Sequence, residues 1–330
     1  MLATWMVYGL TLGILISAGA FLIEAVVRLY GGPTRRVWAA AILMSALVPA
    51  FAFVLYGRSE GGAGTAAQVA MFPGVWFLRA LDPFLDAVDG SLALAWVISS
   101  GVVTLGFLIS AIRVRLASRA WDSREVDGVS VLVSEDVGPA VIGALSIRVV
   151  IPRWALEFDS TARRLMLRHE QQHVAAGDPH FVLLRSIVLS LMPWNAPVWF
   201  MAKRLRLAIE VDCDRRVLRE DRCDVQTYGS LLVEVGRRKS GVVYAGPGFS
   251  WARSLLEHRI LQMTARSGGR RALRAGGMLV VLALVLLTAG FMPRPPSMDA
   301  WATGEMLCAR TDREATPASR QAPAELDWRS

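Results

Sequence analysis

The chain has few cysteines and few charged residues for its length. Only three cysteines, Cys213, Cys223 and Cys308, occur in 330 residues. They show neither the spacing of a metal knuckle nor the even number of a disulfide framework. Charged residues make up 19% of the chain, whereas hydrophobic residues make up 54% and the mean hydropathy is +0.41. This balance is not typical of a soluble protein and indicates a membrane protein with a soluble part.

Lysine is also scarce, so the net charge of +8 comes almost entirely from arginine. In a membrane protein, an excess of arginine usually marks the cytoplasmic side and contact with anionic lipid. Nucleic-acid binding is the competing interpretation of a basic chain, but no recognition motif is present and the aromatic residues lie mainly in apolar runs. We therefore expect the lipid bilayer as a partner and no direct binding of nucleic acid.

Three apolar runs near the N-terminus are each long enough to cross about 30 Å of hydrocarbon. They cover residues 5–29, 37–56 and 92–112, and a shorter fourth run covers residues 276–292. Arginines cluster after the first run and directly after the third, so the positive-inside rule places both regions in the cytoplasm. Both termini are then outside the cell, and the apolar N-terminus is a retained helix rather than a cleaved signal peptide.

This topology predicts a multi-pass protein of the cytoplasmic (inner) membrane with four parts. Residues 1–112 form a three-helix transmembrane region with an external loop at 58–90. Residues 113–275 form a cytoplasmic domain, and residues 276–292 form the fourth transmembrane helix. Residues 293–330 form an external tail, which we expect to be disordered because it is rich in Pro, Ala and Arg.

Within the predicted cytoplasmic domain, short strands precede a series of helices. Residues 129–133 alternate like a strand, and β-branched residues at 141–151 predict one or two more strands. Asp159 or Ser160 can cap a helix that continues to Ala176. The expected fold class is therefore mainly α, with an α+β domain between the third and fourth transmembrane helices.

The most informative stretch lies on this predicted helix and reads His169-Glu170-Gln171-Gln172-His173. Residues four apart leave the same face of a helix one turn apart, so both imidazoles can bind one zinc ion. Glu170 lies about 100° round the helix and can act as general base toward a water molecule at the metal. The alternative, an ordinary solvated helix face, requires a rare coincidence, because the chain has only four histidines.

A zinc hydrolase needs a third protein ligand and one open coordination position. Glu210 follows His173 by 37 residues on a predicted helix and is the candidate third ligand. Asp214 lies one turn later on the same face and could accept a hydrogen bond from the free N–H of a ligand histidine. The alternative for Glu210 and Asp214 is a solvated acidic pair among arginines. Asp212 and Cys213 point elsewhere on the helix and are weaker candidates.

Two further roles rest on weaker patterns. The strand containing Val149, Val150 and Ile151 is a candidate edge for binding an extended peptide substrate. An ordinary internal strand would show the same pattern, and that alternative stays open. Tyr228 is a candidate hydrogen-bond donor to the oxyanion of the reaction, whereas the two histidines outside the motif fit ordinary surface or core positions.

In their order along the chain, these features resemble the BlaR/MecR-type antirepressor metallopeptidases. The resemblance covers most of residues 1–292 and implies one zinc ion bound by His169, His173 and Glu210, with Glu170 catalytic. It also implies a gluzincin-like zinc-peptidase domain that faces the cytoplasm and cleaves a protein substrate, either a transcriptional repressor or the chain itself. The matching pieces are the four apolar runs, the segment from Gly138 to Pro152, the His-Glu-x-x-His motif with Asp178-Pro179, and Glu210-x-x-Cys213-Asp214.

The C-terminus departs from the antibiotic sensors of this family, which carry a large external penicillin-binding domain with a Ser-x-x-Lys nucleophile. Only 38 residues follow the fourth apolar run, and neither Lys203 nor Lys239 lies among them. We therefore expect no covalent β-lactam binding by this chain.

The function expected from the sequence is an integral-membrane zinc endopeptidase in signal-linked proteolysis of a cytoplasmic regulator or of itself. A protease for quality control or processing of membrane proteins would have the same site and would differ only in its substrates. The third interpretation is a non-enzymatic signalling or anchoring protein with a vestigial metal site, which metal analysis would distinguish.

Overall fold

The fold is that of a computed structural model, which describes residues 2–56, 73–135, 137–144, 146–220, 223–240 and 249–264, together with 276–278 and 281. Apart from these last four positions, the predicted fourth transmembrane helix and the external tail lie outside the described residues. Three long helices come first, namely α1 (Leu2–Leu29), α2 (Thr34–Tyr56) and α3 (Pro73–Ala117).

A small sheet and five further helices follow these three. The strands are β1 (Asp122–Val126), β2 (Val129–Ser134), β3 (Ala140–Ile142) and β4 (Arg148–Pro152). The helices are α4 (Ser160–Ala175), α5 (Asp178–Leu191), α6 (Ala196–Glu220), α7 (Val225–Ser240) and α8 (Phe249–Thr264). The described chain is therefore mainly helical, with a small sheet between the third and fourth of its α-helices.

Two of the described helical segments are long and apolar enough to cross a membrane, and they correspond to the first and third predicted spans. They are residues 5–29 in α1 and residues 88–120, most of which belong to α3. The second predicted span falls on α2, whose side chains are described only as far as residue 51 and whose first turn carries two arginines. The described residues thus contain two candidate spans, and the total of four remains a prediction.

Helices α5 and α6 pack against the three apolar N-terminal helices, α1, α2 and α3, which are the membrane-type helices. The connection between them touches α1, because Asn195 is fully buried and its side-chain amide donates to the carbonyl oxygen of Gly9 at 3.2 Å. The indole N–H of Trp96 in α3 donates to the carbonyl oxygen of Leu191 at 2.8 Å. Trp38 of α2 and Leu205 of α6, both fully buried, belong to the core that joins these helices. Helices α5 and α6 and the membrane-type helices therefore share one core.

The sheet corrects the prediction of a substrate-binding edge at Val149, Val150 and Ile151. The strand order is β1-β2-β4-β3, and β4 pairs in parallel with β2 on one side and antiparallel with β3 on the other. All three residues are buried. The prediction is wrong because an apolar β-branched run is typical of a central strand with neighbours on both sides. Among the described strands, β3 lies at the edge next to β4.

Helix α4 begins at a well-formed cap. The carboxylate of Asp159 accepts hydrogen bonds from the backbone N–H groups of Thr161 at 2.8 Å and Ala162 at 2.9 Å. These N–H groups have no partner within the helix, so the cap stabilises its first turn. Further along, buried Leu165 and Leu167 pack into the core beneath the sheet. Cap and core together fix the helix that carries the His-Glu-x-x-His motif.

Replacing the cap should destabilise the protein measurably. We expect Asp159→Ala to lower the free energy of unfolding by about 0.5–2 kcal/mol, because two N–H groups lose their acceptor. Chemical unfolding in detergent micelles measures this change. Glu135→Ala is the matched control, since Glu135 is 70% exposed and makes a surface ion pair with Arg153, which contributes little. Equal losses in both variants would contradict the assigned cap.

Candidate metal centre and active site

Helix α4 directs its two motif histidines into the protein, where their rings converge. His169 and His173 are 8% and 9% exposed, and their Nε2 atoms lie 3.3 Å apart. Two atoms bound to one zinc ion at about 2.05 Å in a tetrahedral arrangement are about 3.3 Å apart. The spacing of the two nitrogens therefore fits adjacent positions of a zinc tetrahedron.

Helix α6 brings Glu210 to the same place. Its Oε2 atom lies 3.7 Å from Nε2 of His169, the same nitrogen that lies 3.3 Å from Nε2 of His173. The structure thus places Glu210 beside the histidine pair, although it follows His173 by 37 residues. Two imidazole nitrogens and one carboxylate oxygen are the donor set of many catalytic zinc sites.

Asp178 holds the ring of His173. The left-handed conformation of Gly177, with φ of 66°, ends α4 and turns the chain, and α5 leaves at 59° to α4. This turn places Oδ2 of Asp178 2.7 Å from Nδ1 of His173. Gly177 is at the cap position of α5, and Asp178 is the first helical residue. By accepting from Nδ1–H, Asp178 leaves Nε2 of His173 available to a metal.

The ring of His169 is held through Tyr228. The phenolic oxygen lies 2.8 Å from Nδ1 of His169, and its O–H donates to Oδ1 of Asp214 at 2.8 Å. Asp214 itself is 3.6 Å from that nitrogen, so it acts through Tyr228 and not by the direct hydrogen bond that the sequence suggests. Burial and then the Asp214 carboxylate raise the pKa of Tyr228 well above its ordinary value. In this structure the O–H of Tyr228 is directed at Asp214, and its role as oxyanion donor stays a prediction.

Arg259 of α8 is a site residue that the sequence analysis does not find. Its Nε and Nη2 atoms donate to the two oxygens of Asp214 at 2.8 and 2.7 Å, and its Nη1 lies 3.0 Å from Oε2 of Glu210. Burial raises the pKa of Glu210, but the charges of Arg259 and His169 lower it by more than burial raises it. The pKa therefore lies well below its ordinary value, and Glu210 is an ionised candidate metal ligand. No local sequence signal distinguishes Arg259 from the other arginines of the chain.

Cys213 offers a second possible donor set with His169 and His173. Its Sγ atom lies 3.3 Å from Nδ1 of His169, and the thiol donates to the backbone carbonyl of His169 at 3.3 Å. Contrary to the sequence interpretation, Cys213 does point at the site. Its Sγ atom faces Nδ1, which already contacts Tyr228, whereas Oε2 of Glu210 faces Nε2 of His169, the nitrogen that lies 3.3 Å from Nε2 of His173. Both donor sets therefore stay open, and Glu210 as the third ligand stays a prediction.

The site opens into a large cavity of about 2550 Å³. The cavity is lined by Glu170, by both motif histidines and by Glu210, and its walls include α3, α5 and the whole of strand β3. Glu170 is 5% exposed. Neither His180 nor His258 lines it or belongs to either donor set.

One family comparison found a match that covers this site. The sequence model of a protein family described as BlaR1 peptidase M56 matches residues 87–263, more than half of the chain and every site residue described above. The chain belongs to this family. Membership confirms the resemblance found in the sequence and makes the M56 chain a membrane-associated metallopeptidase by class. A search of curated proteins found no match to the chain.

The two donor sets of this M56 site predict opposite results. We expect Glu210→Gln to weaken zinc binding by more than about 100-fold, beyond the 10–100-fold loss typical of changes to outer partners. Cys213→Ser should change the affinity much less, because the thiol already has a backbone acceptor. Competition with a chromophoric chelator measures both affinities. A large loss in Cys213→Ser together with an unchanged Glu210→Gln would assign the site to the cysteine.

Zinc affinity should also depend steeply on pH. Burial lowers the pKa of both motif histidines, but Cys213 and Glu210 raise that of His169 to about 10, and Asp178 and Cys213 raise that of His173 to about 11. Protons therefore compete with zinc for Nε2, and affinity should fall as pH falls, by up to about 100-fold per pH unit when two protons are displaced.

Chelator competition between pH 6 and pH 8 tests this dependence. Asp178→Asn is the control, because it removes the carboxylate that raises the pKa of His173, and its affinity should depend less steeply on pH. A wild-type affinity that does not change over this range would contradict the prediction.

Proposed function

We propose that this chain is an integral-membrane zinc endopeptidase. The observation that carries the proposal is the position of three side chains at the wall of a large cavity, where the Nε2 atoms of His169 and His173 lie 3.3 Å apart and Oε2 of Glu210 lies 3.7 Å from Nε2 of His169. The hydrogen bonds from Nδ1 of each ring to Asp178 and Tyr228 support it, because they orient both Nε2 atoms toward the same point. Membership of a metallopeptidase family agrees with this donor set.

Zinc bound at this position would supply a Lewis acid that polarises the scissile carbonyl and lowers the pKa of water. The rest of the chemistry belongs to the protein. Glu170 follows His169 directly on α4 and lines the cavity, so its carboxylate can take a proton from the attacking water and pass it to the leaving amine. Arg259 keeps Glu210 ionised and in place through its contact at 3.0 Å.

Strand β3 is the surface that we propose for holding the substrate. It pairs with β4 on one side only among the described strands, and its residues line the cavity that contains the site. An extended peptide could add beside β3 through backbone hydrogen bonds, which bind substrates with little dependence on their side chains. The substrate edge is thus one strand away from the position that the sequence suggested.

The cellular role that we propose is signal-linked proteolysis of a cytoplasmic regulator, such as a transcriptional repressor, or of the chain itself. Arginines cluster at the helix ends that flank the connection between α1 and α2, and such clusters face the cytoplasm. One of them, Arg35, lies 3.3 Å from Asp178 beside the site, which supports the cytoplasmic location. Direct packing of α5 and α6 against the membrane-type helices supports a link to a signal. Quality control of membrane proteins remains the second candidate, because α3 lines the same cavity.

Removing the proposed base should separate catalysis from metal binding. We expect Glu170→Gln to lower peptidase activity by at least about 100-fold, the usual contribution of general acid–base catalysis, while zinc content stays the same. Fluorogenic peptide mixtures and metal analysis of the purified protein measure the two quantities. Glu157→Gln makes the same chemical change at a glutamate that is 71% exposed and should leave both unchanged. Full activity in Glu170→Gln would refute the assignment.

The same variant identifies the substrate class. Glu170→Gln expressed in cells should retain uncleaved polypeptides, which can be recovered by crosslinking and mass spectrometry. Recovery of a cytoplasmic DNA-binding protein or of the chain itself would favour the signalling role, whereas recovery of membrane proteins would favour quality control.

A further inference from the structure

We infer that Arg35, at the start of α2, is a positioning residue for the metal centre and couples the membrane-type helices to the ligand His173. This inference rests on the proposed zinc site. Arg35 is distant in sequence from every other site residue, and it lies at the junction between α1 and α2, the first two of the apolar helices.

The coupling runs through the two oxygens of one carboxylate. Oδ1 of Asp178 lies 3.3 Å from Nε of Arg35, and Oδ2 lies 2.7 Å from Nδ1 of His173. The side chains of Arg35 and Asp178 are 8% and 4% exposed, so water screens this contact little. The contact is an ion pair and not a hydrogen bond, because neither Nε of Arg35 nor Oδ1 of Asp178 has a hydrogen-bond partner among the described residues. A displacement of the guanidinium therefore acts electrostatically on the carboxylate that orients the imidazole.

Two guanidinium groups lie near the buried carboxylate of Asp178. A buried carboxylate is costly unless it is paired, and Asp178 has two guanidinium groups nearby, those of Arg35 at 3.3 Å and Arg216 at 3.7 Å. Arg216 is also bound to the side chain and carbonyl of Gln172. Removing Arg35 leaves the more distant cation, which is already shared with Gln172. The hydrogen bond from His173 should then hold the ring less firmly.

The backbone of Arg35 is itself fixed on the helix that carries Glu210. Asp212 of α6 accepts hydrogen bonds from the backbone N–H of Arg35 at 2.9 Å and from the hydroxyl of Thr34 at 3.2 Å. Arg215 donates to the carbonyl oxygen of Gly32 at 2.9 Å. Arg35 thus joins the two halves of the metal centre, because its backbone is held by α6 and its side chain holds Asp178 of α5.

The other end of this connection reaches into α1. Glu24 is 4% exposed and forms ion pairs with Arg28 and with Arg204 of α6. A shift of α1 and α2 relative to α6 must therefore break or carry along contacts on both sides of the connection. Of these contacts, the one between Arg35 and Asp178 reaches a residue that is hydrogen-bonded to a candidate metal ligand, His173.

The test compares two neighbouring arginines in the full-length protein in detergent micelles. Arg35→Gln should weaken zinc binding by about 3- to 10-fold, at or below the lower end of the 10–100-fold range for direct partners of ligands. Arg36→Gln is the matched control, because Arg36 is exposed, and its affinity should equal that of the wild type. Equal affinities of Arg35→Gln and the wild type would overturn the inference.

A double-mutant cycle tests whether Arg35 acts through Asp178. Asp178→Asn alone should weaken zinc binding by about 10- to 100-fold. The double variant Arg35→Gln with Asp178→Asn should lose no more than Asp178→Asn alone, because the link is already broken. Additive losses would mean that Arg35 affects the protein by another route, and would overturn the proposed coupling.

A conservative variant covers the case in which Arg35→Gln does not fold. Arg35→Lys keeps the charge but lacks the planar guanidinium, so it should shift the visible absorption bands of the Co²⁺-substituted protein, whereas Arg36→Lys should not. Identical spectra for the two would overturn the inference. Wild-type protein that binds no zinc would refute the proposed function and the inference together, whereas zinc binding and cleavage that are insensitive to Arg35 would refute the inference alone.

Discussion

Desolvation of charged groups is the constraint on which the structure depends. Three carboxylates are almost fully buried, those of Asp178, Asp212 and Asp214. Asp178 contacts His173 directly, and Asp214 is linked to His169 through Tyr228. Burying such a group costs on the order of several kcal/mol unless a cation or a set of N–H donors replaces the lost water. Each has its partners, which are Arg35 and Arg216 for Asp178, the start of α2 for Asp212, and Arg259 with Tyr228 for Asp214.

These partners come from widely separated parts of the chain. Arg35 belongs to α2, Tyr228 to α7 and Arg259 to α8, whereas the histidines lie on α4. Tyr228 contacts His169 directly, and the two arginines reach the histidines through Asp178 and Asp214. The metal centre is therefore a property of the whole described fold and not of the His-Glu-x-x-His helix alone. Since both Nδ1 atoms are already engaged, the rings are pre-oriented before any ion binds, which lowers the cost of assembling the site.

The sequence predicts the local features of the site because short spacings determine them. His169 and His173 share a helix face by their separation of four, and Asp159 is identified as a cap by its position before an apolar periodic segment. Glu210 was a candidate because it is a carboxylate on a separate predicted helix, and the family resemblance implied the same residue, but no local rule connects it to α4. The strand β2 and the helices of the site follow from periodicity in the same way.

The features that the sequence does not predict depend on contacts between distant elements. An apolar β-branched run such as that of β4 reveals burial but not which neighbours it pairs with, and so a central strand was taken for an edge strand. Tyr228 and Arg259 have no fixed spacing from the motif, because the fold and not the helix period brings them to it. Asp178 follows the glycine that ends α4, but this position alone does not show that its carboxylate turns back to His173.

Helix α6 gives the arrangement its mechanical consequence. It is 25 residues long, and its first half contributes Leu205 to the core shared with α2, while its second half carries Glu210 and Asp212. Five residues of helix separate Leu205 from Glu210, a rise of about 7.5 Å along a rigid element. Movement of the membrane-type helices would therefore reach the metal centre through packed side chains and paired charges. Coupling of this kind needs two discrete arrangements of packed elements, and the buried contacts of Asp178 and Asp212 supply the interactions that would differ between them.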